Sequence, residues 1–196
     1  RDRSLNGLQV EGSGRIHRAA FAVDASLDAI RAAARFRAQI LVVHHGLFWS
    51  ENARITGVMR RRIGALVENN MSLYAAHLPL DCHSEVGNNV ELVRLFGFEL
   101  GGKFADYHGV RLGFIAKPKK PVTRAALARK IEATLRCRVE RLDFGPRTIR
   151  RIGIVSGGAA VFAAEAKDLG CDALVTGETS HTAYHMAKEA RINVFF

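Results

Sequence analysis

The stretch QILVVHHGLFWS, from Gln39 to Ser50, ends an apolar run in two adjacent histidines, His44 and His45. Histidine is the commonest transition-metal ligand near neutral pH, and it also moves protons or closes a strand with a hydrogen bond. In an ideal strand, neighbouring side chains point to opposite faces, so the pair could not share one ion. At a strand end, with Gly46 permitting an unusual turn, each could reach a different ion. A carboxylate would then lie between them. Two divalent ions about 3.5–4 Å apart, activating a shared water, are the working parts of dinuclear hydrolases.

Asp81 is the local carboxylate suited to bind or bridge, since it follows His77 in AAHLPLD and Pro79 stiffens the turn. His77, Glu178 and His181 are candidates for supporting or proton-transfer roles. Each residue also has a plain alternative. The histidine pair could close a strand, Asp81 could brace a loop, His77 could be a buried hydrogen-bonded histidine, and Glu178 could fix its own loop. His17, His83, His108 and His185 lack supporting context, and Phe48 and Trp49 suit packing or a pocket wall.

The elements that must position these residues alternate between strand and helix. Arg15–Asp24 reads as a strand, Ser26 as the cap of a helix with Leu27, Ile30 and Ala34 on one face, and QILVV as a second strand. Its continuous apolar character suits a parallel strand covered on both faces. TGVMRRRIGALVEN then reads as a helix, SLYAA as a strand and Gly87–Phe96 as a helix.

The second half repeats the plan with TIRRIGIVSG, AAVFAAEAKDLG, DALVTGE, SHTAYHMAKEA and INVFF. Val23 and His44 stand 21 positions apart, as do Val155 and Thr176. HGVRLGFIAKP and RVERLDF read as strands flanking a helix from Thr123 to Leu135, completing the second sheet. The expected fold is therefore α/β, with two similar three-layer α/β/α lobes and largely parallel sheets. The first lobe spans residues 1–100 and the second 101–196. Ligands in such sheets bind beyond the carboxyl ends of strands, where His44–His45, His77–Asp81 and Thr176–Glu178 all fall. A cleft between the lobes would gather them.

Composition narrows the class. Of 196 residues, 48% are hydrophobic and 24% charged, as in ordinary globular proteins. No apolar run approaches the roughly 18 residues of a membrane span. The three cysteines contain no CxxC pair, which argues against a disulfide framework or zinc ribbon and fits a cytoplasmic setting. The net charge of +10 is partly clustered in MRRRI, KPKK and RTIRR, and favours an anionic small molecule, a nucleotide or nucleic acid over a neutral partner. The same runs also suit a solvated basic surface. The start at Arg1 is expected to follow missing residues. INVFF stops where a fourth polar tip should begin, so a lost tail is expected.

In order, SLNGLQVEG, VVHHGLFW, GVMRRRI, LYAAHLPLD, GNN and DALVTGE resemble the NIF-three family of dinuclear metal-centre proteins, also known as GTP cyclohydrolase 1 type 2 homologues. The resemblance covers nearly the whole chain and is nearest to the short bacterial members. It implies two similar lobes with a two-metal site between them, assembled as a toroidal homohexamer. It also implies ligands at His44, His45 and Asp81, completed by a C-terminal GHxxxE-like motif that has no counterpart before Phe196. Thr182 follows His181 where the family often has a second histidine.

The leading expectation is a metal-dependent hydrolase holding two divalent ions, with Zn, Fe, Mn, Co and Ni all suited to the ligand types. The family name suggests ring opening of a nucleotide such as GTP. The rival expectation is a toroidal metal-binding scaffold for nucleic acid or a protein partner, and a third is metal handling or a redox-stress response.

Overall fold

Two compact units divide the chain, Arg1–Leu80 and Asp81–Phe196. The computed structural model describes residues 2–50 and 53–196. The first unit runs β1 (Gly7–Val10), β2 (Ala19–Asp24), α1 (Leu27–Arg35), β3 (Ile40–His45), α2 (Gly57–Glu68), β4 (Ser72–Ala75), then enters the short α3 (Leu78–Asp81). The second runs α4 (Asn88–Leu95), β5 (Glu99–Tyr107), β6 (Val110–Lys117), β7 (Val122–Thr123), α5 (Arg124–Leu135), β8 (Arg141–Asp143), β9 (Thr148–Ile149), β10 (Ile152–Ile154), α6 (Ala163–Asp168), β11 (Ala173–Val175), α7 (Ala183–Ala190) and β12 (Asn193–Phe195). Each is a mixed α/β unit whose sheet is flanked by helices.

The first sheet has the order β1-β4-β3-β2. Strands β2, β3 and β4 are parallel, and β1 joins β4 antiparallel. Parallel strands need crossover helices, which α1 and α2 supply. Ser26 caps α1 by accepting from the Ala29 N–H, satisfying one orphan donor of its first turn. Ile30 and Ala33 of α1 and Leu66 of α2 bury against Leu41, Val43, Leu73 and Ala75.

Alternate residues of the same strands face the other way. There Leu8, Tyr74, Val42 and Phe21 align in register across the four strands. Phe21 is 76% exposed, Leu8 57% and Tyr74 42%. The apolar run of β3 thus serves a helix-covered face on one side and an open apolar face on the other. Helical cover on both sides, expected from that run, is not found among the described residues of this unit.

The second sheet has the order β5-β6-β10-β11-β12-β8. Its core β10-β11-β12 is parallel, and β6, β5 and β8 extend it antiparallel. Val90 and Val93 of α4 and Leu127 and Ile131 of α5 bury against Phe114, Ile152, Ile154, Ala173, Val175 and Phe195. The alternate residues Leu174 and Val194 face the other side, and are buried, as are the inward alanines of α6 and α7. This unit is a three-layer α/β/α sandwich. Because α4 packs its Val90, Val93 and Phe96 into this second core, the compact units divide after Leu80, earlier than the expected lobe boundary at residue 100.

The repeat read from the sequence is a repeat of register. Asp24 pairs with His45 in β2/β3, and Ile154 with Val175 in β10/β11. The stretch Thr148–Gly157 is two strands, not one: β9 leaves the main sheet to pair with β7, and β10 resumes beside β6. Strands β1, β5 and β7 were not expected.

Candidate metal centre

His44 and His45 are the last two residues of β3. His77 follows β4, the neighbouring strand, just before α3. Parallel pairing brings the two strand ends to one edge of the sheet. The ring centroids of His44 and His45 lie 4.6 Å apart, those of His44 and His77 4.9 Å, and those of His45 and His77 5.6 Å. One ligand atom from each of the three lies within 4.8 Å of the others. The pair therefore converges at the strand end instead of splitting across the sheet. His77 stands with it, closer to the centre than the supporting place the sequence suggested.

Each ring is oriented through Nδ1. His44 Nδ1 lies 2.9 Å from the Ala76 carbonyl oxygen. His45 Nδ1 lies 2.8 Å from Asp24 Oδ1, and His77 Nδ1 lies 2.8 Å from Asp2 Oδ1. A carbonyl or carboxylate can only accept, so each Nδ1 carries the proton and Nε2 carries the lone pair. Carboxylate or carbonyl behind histidine is the recurrent support of metal-ligating imidazoles, because it fixes the tautomer and raises basicity.

The two acids differ in setting. The His77–Asp2 pair is sheltered, with side-chain exposures of 19% and 15%, whereas Asp24 behind His45 is 67% exposed. Burial alone would raise the Asp2 carboxyl. Hydrogen bonds from the Asn6 amide, the Ser4 N–H and His77 outweigh it and hold the group below its ordinary value.

The segment SLNGLQ braces this edge. Asn6 Oδ1 accepts from the His77 N–H at 2.7 Å, and Asn6 Nδ2 donates to Asp2 at 2.7 Å. Gln9 Oε1 accepts from the Leu47 N–H at 2.7 Å and the Phe48 N–H at 3.2 Å. Its Nε2 donates to the carbonyls of Leu5 and Phe48. Gly46 was expected to permit an unusual turn, yet its φ is not positive. It is small because the Gln9 amide passes over it: a Cβ there would sit 2.4 Å from both Gln9 Nε2 and Oε1. Trp49 forms a wall, its ring 5.1 Å from that of His77 and edge-on to it.

The other expected site residues belong to the second unit. Asp81 is 7% exposed, and its Oδ1 accepts from Asn88 Nδ2 at 2.9 Å and Ser156 Oγ at 3.1 Å. Asn89 donates to the Asp81 and Leu112 carbonyls and accepts from the Ser156 N–H. The GNN motif thus ties Asp81 to the end of β10. Glu178 is exposed after β11, and its N–H donates to the Gly157 carbonyl at 3.0 Å. His181 is exposed in the turn before α7.

Sequence reasoning missed Asp2, Asp24, Asn6 and Gln9. A signal existed for Asp24: it ends the strand preceding HH at the repeat distance of 21, so parallel pairing puts it opposite His45. Asp2 offered none, since its contact with His77 spans 75 positions.

Among the described residues, three imidazoles with their lone pairs at Nε2 fit one first-row divalent ion; the chemistry does not fix its identity or the number of ions. Among the described residues, no helix is long and apolar enough to cross a membrane.

The family model described as Duf34/NIF3 (NGG1p interacting factor 3) matches residues 1–196. A relative from Archaeoglobus fulgidus, named GTP cyclohydrolase 1 type 2 homolog, is 47% identical, the match covering 100% of this chain and 78% of that one. A relative of the same name from Pyrococcus horikoshii is 43% identical, with 98% and 77% covered. The solved structure of protein ybgI, described as of unknown function, superposes with a TM-score of 0.93 at 36% identity, covering 100% of this chain and 78% of that one. That of TTHA1606 from Thermus thermophilus gives 0.85 at 34%, covering 100% and 77%. The histidine edge, the SLNGLQ brace and the two α/β units are those of a chain that belongs to the Duf34/NIF3 family.

Proposed function

We propose that the chain is a metal-dependent hydrolase acting on a nucleotide, with its metal centre built on His44, His45 and His77. One observation carries the reading: one ligand atom from each of His44, His45 and His77 lies within 4.8 Å of the others, with every ring held through Nδ1. So regular an assignment of tautomers serves a ligand better than it serves packing. A bound divalent ion supplies Lewis acidity and lowers the pKa of water at the site.

The chain's own residues do the rest. Asp24 and Asp2 hold the His45 and His77 rings and their Nδ1 protons, Trp49 walls the edge, and Gln9 keeps the 46–48 backbone in place. Asp81 is proposed as a further ligand, and a second ion with it, on the motif pattern and not on distance. Glu178 and His181 are proposed for proton transfer. The net charge of +10 and the name of the relatives favour a phosphorylated substrate such as GTP.

The test is metal content by mass spectrometry, then turnover of GTP and other nucleotides by metal-loaded protein beside His45→Ala. Bound metal and turnover that both fall with the substitution support the reading. Equal turnover by the variant removes the metal mechanism, and absence of metal at saturating zinc removes the site.

Self-association into a homohexamer is proposed as well. Its support is the exposed row Leu8, Tyr74 and Phe21, since an open apolar face favours burial against another protein surface. A monomeric mass by sedimentation, unchanged by Phe21→Lys, would remove it.

A further inference from the structure

We infer that the second unit carries a binding surface for the phosphate backbone of double-stranded nucleic acid, on the β7–β9 ribbon and the loop leading into it. In the sequence, KPKK and RTIRR are separate runs. The fold joins them. Val122 pairs with Ile149 and Thr123 with Thr148, antiparallel. Lys119 and Lys120 lead into β7, and Arg150 and Arg151 follow β9, so the antiparallel pairing puts the two runs at the same end of the ribbon. On the main sheet, Ala116 pairs with Ile152, which brings Lys117 level with Arg151. Arg147 extends the row past the other end of the ribbon, where its carbonyl accepts from the Arg124 N–H at 3.1 Å.

Lys117, Lys119, Lys120, Arg147 and Arg150 are all exposed, and among the described residues none is in an ion pair. The nearby acids are engaged or few. Asp172 Oδ2 accepts the backbone N–H of Arg150 and Arg151. Asp143 faces Arg124 and Arg141. Glu99 is level with Lys117 on the adjoining strand. Five exposed cations without an ion pair, flanking one short ribbon and its leading loop, concentrate positive potential that a solvated surface would normally dilute with carboxylates.

Two absences choose the partner. No large apolar side chain is exposed within 117–123 or 146–151, so the surface lacks the apolar wedge with which proteins settle into a lipid interface. The same segments hold no aromatic residue, so they lack the stacking platform that single strands use. What remains is cationic contact with a regular phosphate backbone, which gives affinity without sequence preference. The surface shares no residue with the histidine edge and does not depend on the hydrolase reading.

If all five cations neutralise phosphates, the slope of log K against log salt is about −4.5, an affinity loss of roughly 500-fold between 50 and 200 mM salt. The experiment is fluorescence anisotropy of a labelled mixed-sequence 20-base-pair DNA duplex against the full chain across that salt range. Lys120→Glu/Arg150→Glu is compared with Arg60→Glu/Arg61→Glu, which changes the net charge equally at exposed positions of α2 in the first unit. Circular dichroism establishes that both variants are folded.

The expected result is a slope near −4 to −5 for the parent, made shallower by about 2 in the ribbon variant with at least a tenfold loss of affinity at 100 mM salt. The α2 variant should keep the parent slope. Equal losses in the two variants, no duplex binding at 50 mM salt, or binding to phosphatidylglycerol vesicles in preference to the duplex would each overturn the inference. Metal content and nucleotide turnover of the ribbon variant should match the parent, so failure here leaves the metal centre untouched.

Discussion

Replacing Gly46 by alanine is a small change with a large expected effect. The new Cβ would sit 2.4 Å from both terminal atoms of Gln9. A glutamine end can move, so the backbone need not strain. But that amide makes four hydrogen bonds, to the N–H groups of Leu47 and Phe48 and the carbonyls of Leu5 and Phe48. Displacing it forfeits them together. At about 0.5–1.5 kcal/mol each, with some recovered by water, Gly46→Ala should cost roughly 2–4 kcal/mol.

Gln9→Ala loses the same bonds and should cost a similar amount. The double variant should cost no more than Gln9→Ala alone, because the clash then has no partner. The coupling in the double-mutant cycle is thus about 2 kcal/mol or more. Urea unfolding followed by the single tryptophan, Trp49, reads the first unit directly. Additive losses in the double variant would falsify the close-approach account and return Gly46 to a role in backbone freedom.

Three further outcomes are expected. Asp24→Asn keeps a hydrogen-bond acceptor behind His45 but loses its charge, so zinc affinity by competition titration should fall about 10–100-fold with little change in stability. Asp2 has a depressed carboxyl, so its contribution to stability is full above the unfolded value near 3.8 and is lost as pH falls through the lower folded value. In metal-free protein, Asp2→Asn should therefore flatten the acid limb of Trp49-detected unfolding, and parallel acid limbs would refute this. The Cys171 thiol is buried and pushed up to about 11, while Cys137 is exposed. A disulfide reagent at pH 8 should thus label Cys137 in the native state and Cys171 only on unfolding.

Strand and helix were legible because their signals are local. The β2-α1-β3-α2-β4 order follows from the alternation of apolar runs with 3.6-period segments, and its echo at a spacing of 21 reappears as parallel register. His44 and His45 stood out because two adjacent polar rings at the end of ILVV must leave the sheet's interior. The open face of the first sheet was not legible. A run of apolar residues has the same appearance whether its second face meets helices or stays bare, and Phe21 at 76% exposure shows the difference only in three dimensions. The split of Thr148–Gly157 was hidden for a similar reason, since nothing local tells Ile149 to pair with Val122 and Ile152 with Ala116.

The sequence by itself determined which residues could ligate and on which strand ends they lie, because donor chemistry and strand period are properties of single residues and their neighbours. Only the tertiary structure decided the company they keep. His77 joined His44 and His45 because β4 pairs with β3. Asp2 accepted the His77 Nδ1 hydrogen bond across 75 positions, and Gln9 clamped the backbone beside Gly46. Those contacts depend on where the chain returns in space, and no local pattern of residue types encodes that return.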